Sequence, residues 1–300
     1  MKLSEKPNLL ILENLLRPAE LTASGISEIA GEAKEPDIAD VVRHGLFVLA
    51  VAHVETMLSD TLKYYLSVIP QKIEKENLSV SKDELLAHQF DLVEVQIEKL
   101  LQGLFYKSID DILAYFCSVL SLDAKADNLS APLREIKATR NILLHNKLVS
   151  NSAYIELAGE NRRVARAGEN LKITPSYLTG SVDTLLLFVA KVNRLIRAKY
   201  KDYTRLAAIK RLWAFTFKSP VMPFEDFWVF DEKADRLSFR KKGKHEDCIS
   251  GSEAAFLNVW RAHFSGYTTD LRAFTIYTFD RDNQAKLLYL LSVFRHFSIQ

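Results

Sequence analysis

Sulfur is scarce in this chain: 300 residues hold two cysteines and three methionines. Cys117 and Cys248 lie far apart and in no metal-like spacing, so the sequence offers neither a disulfide framework nor a zinc site. Cys117, set among Tyr115, Phe116, Val119 and Leu120, reads as a buried free thiol. That usage fits a reducing compartment, and a cytoplasmic location is expected. No apolar run approaches the ~20 residues that cross a bilayer. The opening Met1-Lys2-Leu3-Ser4-Glu5-Lys6-Pro7 is not the pattern of a secretory leader, because Glu5 and Pro7 interrupt it. There is no His-Glu-x-x-His, no acidic metal cluster and no glycine-rich phosphate loop, so no metal and no cofactor are expected. Internal repeats and low-complexity tracts are also missing.

What is present is an ordinary globular composition, 48% hydrophobic and 26% charged. The net charge is only +2, but it is unevenly spread. Between Glu160 and Lys218 there are 13 Lys or Arg against 4 Asp or Glu, a local +9 that leaves −7 for the remainder. A basic segment of this kind suits a polyanion such as RNA, though a solvated helix face reads the same way.

The periodicity is mostly helical. Leu9 to Leu16 forms a short apolar helix that should end near Pro18, followed by a connector containing Gly25, Gly31 and Pro36. From Ile38 to Ile69 the apolar residues Phe47, Val51, Val54, Leu58, Leu62, Tyr65 and Ile69 recur at steps of three and four, and Pro70 stops the pattern. Ser81 with Glu84 is a capping box that opens a second long helix. Ser108 and Asp111 begin a third. Ser130 should cap a fourth, with Pro132 in its first turn. Tyr154-Ile155-Glu156-Leu157 and Asn170-Leu171-Lys172-Ile173 read as a small hairpin, and a fifth helix follows Thr179-Gly180-Ser181. After about residue 203 the character changes. Trp213, Phe215, Phe217, Phe224, Phe227, Trp228 and Phe230 crowd together, and Trp228-Val229-Phe230 with Leu237-Ser238-Phe239 form a plausible hairpin. A helix over 252–266, a strand over 274–279 and a last helix over 282–297 complete the chain. The expected division is 1–40, an N-terminal helix and connector; 41–203, a helical domain; and 204–300, a smaller α+β unit.

The fourth helix carries the one concentration of chemistry, Arg140-Asn141-Ile142-Leu143-Leu144-His145. Leu133, Ile136, Arg140 and Leu143 fall on one stripe, so Arg140 stands where a core residue is expected. A charge there needs a partner or a polar cleft. His145 lies about 140° round the helix from Arg140, so a single helix does not aim both groups at one phosphate. His145 shares a face with Asn141 instead. A histidine can take the 2′-hydroxyl proton of RNA or protonate the leaving 5′-oxygen near neutral pH. An arginine can hold the phosphate and stabilise the charge that develops on it.

Arg-Asn, three apolar residues and His on a late helix resemble the signature of the HEPN superfamily. The stretch Gly168-Glu169-Asn170-Leu171-Lys172-Ile173 followed by a helix is similar to its RiboL-PSP-like branch. The resemblance covers roughly residues 40–200. It implies a mainly α, up-and-down helical bundle and a metal-independent endoribonuclease with Arg140 and His145 catalytic and Asn141 accessory. It also implies a homodimer with the cleft at the two-fold interface, a role in prokaryotic stress or anti-phage defence, and an antitoxin partner. Glu55 on the first long helix would support the site, equally as an ion-pair partner of Arg140, and Lys147 would help hold phosphate. Arg162, Arg163 and Arg166 follow the motif closely and are the candidates for RNA contact. His53 aligns with Leu46, Leu49 and Met57 and reads as a core histidine. An inactive RNA- or protein-binding module and a purely structural dimer are the alternative readings.

Overall fold

The computed structural model describes residues 10–35, 38–73, 79–87, 92–123, 126–204, 207–208, 210–211, 228–231, 236–241 and 244–246. The described chain is mainly helical. It divides into two compact units, one spanning Leu10–Tyr203 and the other formed by residues 1–9 and 204–300.

Among the described residues the first unit holds eight helices: α1 (Leu12–Glu32), α2 (Asp40–Val68), α3 (Lys82–Ala87), α4 (Leu92–Phe105), α5 (Ile109–Val119), α6 (Ala126–Asn146), α7 (Ser152–Ala158) and α8 (Pro175–Tyr200). Helix α2 is central, packing on α1, α8, α4 and α6. It buries Phe47, Ala50, Val51, Val54, Met57, Leu58, Leu62, Tyr65 and Leu66, each large apolar side chain stabilising by roughly 1.5–3 kcal/mol. Although no uninterrupted apolar run reaches a bilayer-spanning length, helix α2 as a whole is by length and composition apolar enough to cross a membrane, a test that a core helix packed on several others also passes. It is apolar on more than its core side, since Val41, Val42 and Leu49 are exposed.

Several local signals act as the sequence predicts. Ser81 and Glu84 exchange hydrogen bonds, with the Ser81 N–H donating to Glu84 Oε2 at 3.0 Å and the Glu84 N–H to Ser81 Oγ at 3.2 Å. Ser108 Oγ accepts from the Asp111 N–H and caps α5. Helix α2 stops two residues before Pro70, and α6 stops at Asn146. Cys117 is a buried free thiol, and burial pushes its pKa up.

Elsewhere tertiary packing overrides the local signal. Helix α1 does not end near Pro18; it runs through that proline and Gly25 to Glu32. Leu15, Leu16, Ala19, Thr22, Ile26 and Ile29 are buried along it, and α8 and α2 cover that face. Burial of such a stripe outweighs the one backbone bond that Pro18 cannot donate. Helix α1 is thus part of the bundle rather than a separate connector. Gly25 permits the closest approach: a Cβ built there would stand 2.7 Å from His53 Cε1 and 2.9 Å from Nε2. His53 is accordingly half-buried between helices.

Ser130 is not an N-cap but lies one turn inside α6, fully buried, and its hydroxyl donates to Asp110 Oδ1 at 2.5 Å. Arg134 donates to the same carboxylate at 2.6 Å, which ties α6 to the start of α5. The pairing with Arg134 and Ser130 offsets the upward push of burial and leaves the Asp110 pKa below its usual value. The predicted hairpin at 154–173 is absent. Asn151 Oδ1 accepts from the Tyr154 N–H at 2.8 Å and starts α7 instead, leaving one isolated bridge between Val149 and Asn170. Helix α8 begins earlier than expected, at Pro175, because Thr174 Oγ1 caps it and proline suits a first turn.

In the second unit, β1 (Trp228–Asp231), β2 (Arg236–Lys241) and β3 (Lys244–Glu246) form an antiparallel sheet in the order β1-β2-β3. Trp228 pairs with Phe239 and Phe230 with Leu237, the hairpin expected from their alternation. The helices expected over 252–266 and 282–297, the strand over 274–279 and the aromatic residues 213–227 lie outside the described residues.

Candidate functional site

The last three turns of α6 carry Lys137, Arg140, Asn141, Leu144 and His145. The first four fall at i, i+3, i+4 and i+7, one stripe of the helix. Leu133 and Ile136, which share the stripe of Arg140 nearer the start of the helix, are buried and Leu143 is half-buried, so Arg140 stands at the edge of the core. Its side chain is 19% exposed and is not left unpaired. Its Nη2 donates to Glu55 Oε2 on α2, and its Nη1 donates to Asn141 Oδ1 at 3.0 Å. Glu55, also 19% exposed, receives a second cation, with Lys137 Nζ 3.3 Å from its Oε1. Lys137 is more deeply placed, and burial lowers its pKa while Glu55 partly restores it.

His145 is exposed and, among the described residues, has no hydrogen-bond partner. It occupies the next-to-last position of the helix. The chain then turns through two left-handed residues, Lys147 at φ 49° and Leu148 at φ 63°. The Leu148 N–H returns to the Ile142 carbonyl at 3.1 Å, a six-residue closure that satisfies one of the last free carbonyls of α6. Leu148 is buried and anchors this turn. Because α6 stays helical through His145, the two groups remain about 140° apart round the axis and about 7.5 Å apart along it. Arg140 lies beside α2, whereas His145 faces solvent.

Just past this turn Ser150 acts as a clasp. Its N–H donates to the Glu169 carbonyl at 2.9 Å and its carbonyl accepts from the Gly168 N–H at 2.8 Å. Its hydroxyl donates to the Arg166 carbonyl at 2.9 Å and accepts from the Glu169 N–H at 3.0 Å. The arginine-bearing loop therefore returns to the end of α6. Arg162 and Arg166 are exposed on it, as is Lys147.

Arg163 is different. It does not rim the surface but enters a buried polar network centred on Glu135, whose side chain is 9% exposed. Arg163 Nε donates to Glu135 Oε1 at 2.7 Å, Nη2 to Thr139 Oγ1 at 3.0 Å and Nη1 to the Lys172 carbonyl at 2.7 Å. The guanidinium carbon also lies 3.6 Å above the Tyr177 ring. Glu135 accepts further bonds from Thr139 at 2.5 Å, Tyr154 at 3.0 Å and Tyr177 at 2.7 Å. Burial, reinforced by the Glu135 charge, pushes the Tyr177 phenol well above its usual range. The network joins α6, α7, the loop and α8 on the side of α6 away from Glu55, since Glu135 stands about 140° from Arg140. Arg163 is thereby committed to the fold: three of its five N–H bonds and one face of its guanidinium meet Glu135, Thr139, the Lys172 carbonyl and the Tyr177 ring, whereas Arg162 and Arg166 stay exposed.

Sequence reasoning passed over Glu135 and Lys137. Glu135 has partners 19, 28 and 42 residues away, which no local pattern reveals. Lys137 was detectable only as a cation three residues before Arg140. Among the described residues no three His, Cys, Asp or Glu side chains come together in a way that could hold a metal ion. No family model matches this chain, and neither a curated protein nor a solved structure does.

Proposed function

We propose that this chain is a metal-independent endoribonuclease of the HEPN type that cuts RNA through attack of the substrate's own 2′-hydroxyl. In this reading α2 to α8 are the HEPN-like bundle, and residues 204–300 are a smaller α+β unit. The observation that carries the reading is the placement of the motif. Arg140, oriented by Glu55, and the exposed His145, without a hydrogen-bond partner among the described residues, occupy the final turns of one helix beside a loop presenting Arg162 and Arg166. His145 moves the proton, Arg140 stabilises the charge on the phosphate, and Asn141 holds the Arg140 guanidinium.

The separation of Arg140 and His145 round α6 makes a two-fold dimer the natural way to complete the cleft. Val41, Val42 and Leu49 on α2 and Leu144 on α6 are exposed apolar side chains on the helices that carry Glu55 and Arg140. Exposed apolar side chains on these two helices are what a second copy of this chain could cover. The family resemblance extends the proposal to a cytoplasmic role in prokaryotic stress or anti-phage defence with an antitoxin partner.

A second reading has its own observation. The Arg140–Glu55 ion pair is also what a structural helix-to-helix link would look like, and it would serve a non-catalytic RNA- or protein-binding module equally well. Incubation of the purified full chain with total and transfer RNA in EDTA separates the two. The nuclease reading expects cleavage that spares DNA and leaves 2′,3′-cyclic or 3′-phosphate ends. It also expects His145→Ala to lose about two orders of magnitude in rate. Wild-type protein that leaves RNA intact, or His145→Ala that cuts at the wild-type rate, refutes it.

A further inference from the structure

The Glu55 carboxylate faces two cations where a structural ion pair needs one. Arg140 Nη2 takes one oxygen closely, while Lys137 Nζ stands 3.3 Å from the other and 3.5 Å from the Lys107 carbonyl. Both Lys137 distances are long. An ammonium carries three donors and a guanidinium five, so each group keeps N–H bonds that these partners do not fill. Lys137, Glu55 and Arg140 together hold a net charge of +1, in a place where their side chains are only 12%, 19% and 19% exposed. Within this cluster Glu55 attracts Lys137 and Arg140 opposes it. An uncompensated charge withdrawn from water is costly unless an anion completes the set. The arrangement also has the right geometry for one: Lys137 and Arg140 are one turn apart on the same stripe of α6, about 4.5 Å along the axis. That spacing lets two cations approach different oxygens of a single phosphate.

We propose that Lys137 and Arg140, gripped together by Glu55, bind one backbone phosphate of RNA, with Lys137 as the second cation of the site. Glu55 is then a positioning residue that orders both cations without neutralising both. The choice of RNA rests on the ribonuclease reading; the anion site itself rests on the three side chains.

The test measures binding of a fluorescent 2′-O-methyl RNA dodecamer, which cannot be cleaved by 2′-hydroxyl attack, to the full chain at several salt concentrations. Wild-type protein should bind with a salt-dependent affinity. Lys137→Met should weaken binding about tenfold and flatten the log–log salt slope by roughly 0.7, the value for one phosphate left unneutralised on a single strand. Lys137→Arg should restore both. Glu55→Gln, whose amide oxygen still accepts from Arg140, should tighten binding by raising the local charge to +2, and Glu55→Gln/Lys137→Met should lose that gain, which a rise in charge unconnected with Lys137 would retain. Lys137→Met with unchanged affinity and slope overturns the proposal, as does wild-type protein that does not bind. If Lys137→Met loses its helical circular dichroism, Glu55→Gln decides alone, and binding no tighter than wild type overturns it. Unmethylated RNA in EDTA provides the separate arm. Lys137-dependent binding without cleavage refutes the nuclease and leaves the site standing, whereas cleavage with Lys137-independent binding refutes only the site.

Discussion

Replacing Glu135 by alanine should be among the damaging single changes in the helical unit, although Glu135 is a charged residue. The carboxylate is 9% exposed and accepts from Thr139, Tyr154, Arg163 and Tyr177. Its removal leaves a half-buried guanidinium without its counter-ion and two phenols without acceptors. Breaking a buried ion pair from one side costs about 3–5 kcal/mol. For a domain of this size each kcal/mol lowers the melting temperature by roughly 2–4 °C, so the expected drop is roughly 6–20 °C. Glu135→Gln keeps two acceptor lone pairs and should lose less. Arg163→Met should also lose less, because three hydroxyl donors still satisfy Glu135. The double variant Glu135→Leu/Arg163→Met should be less destabilised than the two single losses added together, as expected for groups that share one network. Urea unfolding followed by circular dichroism at 222 nm measures all four. A loss below about 1 kcal/mol for Glu135→Ala would refute the network as a stabilising device, given that even an ordinary buried hydrogen-bonding group left unpaired costs ~1–3 kcal/mol.

Gly25→Ala should destabilise by about 1–3 kcal/mol despite alanine's better helix propensity, because its Cβ would collide with the His53 ring; Gly25→Ala combined with His53→Ala should recover most of that loss in the same unfolding assay. Stability should also fall in alkali. Tyr177 and Tyr200 are held protonated by burial, their folded pKa values lying above those of the unfolded chain. Their contribution is therefore complete below the unfolded value of about 10 and is lost as pH climbs from there toward the folded values. Urea midpoints should be level from pH 7 to 9 and drop beyond 10, and Tyr177→Phe should reduce that drop. Lys147→Gly should stabilise the chain by about 1 kcal/mol, because Lys147 sits at φ 49° in a region where glycine is unstrained; an unchanged or lower midpoint would count against strain at the end of α6.

The parts of the fold legible in the sequence are those in which a short segment contains its own reason. Ser81 and Glu84 are three residues apart and satisfy each other's backbone. Ser108 does the same for Asp111, and Pro70 cannot continue a helix. The errors fall where a distant partner overrides the local signal. Ser130 has the chemistry of a cap but is drawn one turn inside α6 by Asp110. Pro18 signals a stop, yet the buried stripe of α1 extends beyond it because α8 and α2 cover it. At the candidate site, Glu55 as a partner for Arg140 was legible because an arginine on a core stripe demands a counter-ion. The fate of Arg163 was not, since Arg162, Arg163 and Arg166 are equal members of one charge run in sequence. Only folding distinguishes the residue that meets Glu135 from its two exposed neighbours.

The Ser150 clasp also bears on the entropy of recognition. A loop that is loose before it meets a ligand must lose about 1–2 kcal/mol of backbone freedom for each residue it orders. Here the Arg166 carbonyl and the Gly168 and Glu169 amides are already fixed against one serine at the end of α6. A ligand received by this loop would have to restrict little beyond the rotamers of the Arg162 and Arg166 side chains, which carry ~2 kcal/mol each at most. Preorganisation of this kind makes modest interactions count. Ser150→Gly, which keeps the backbone bonds but deletes the hydroxyl, would shift that entropic cost from folding to the moment of binding.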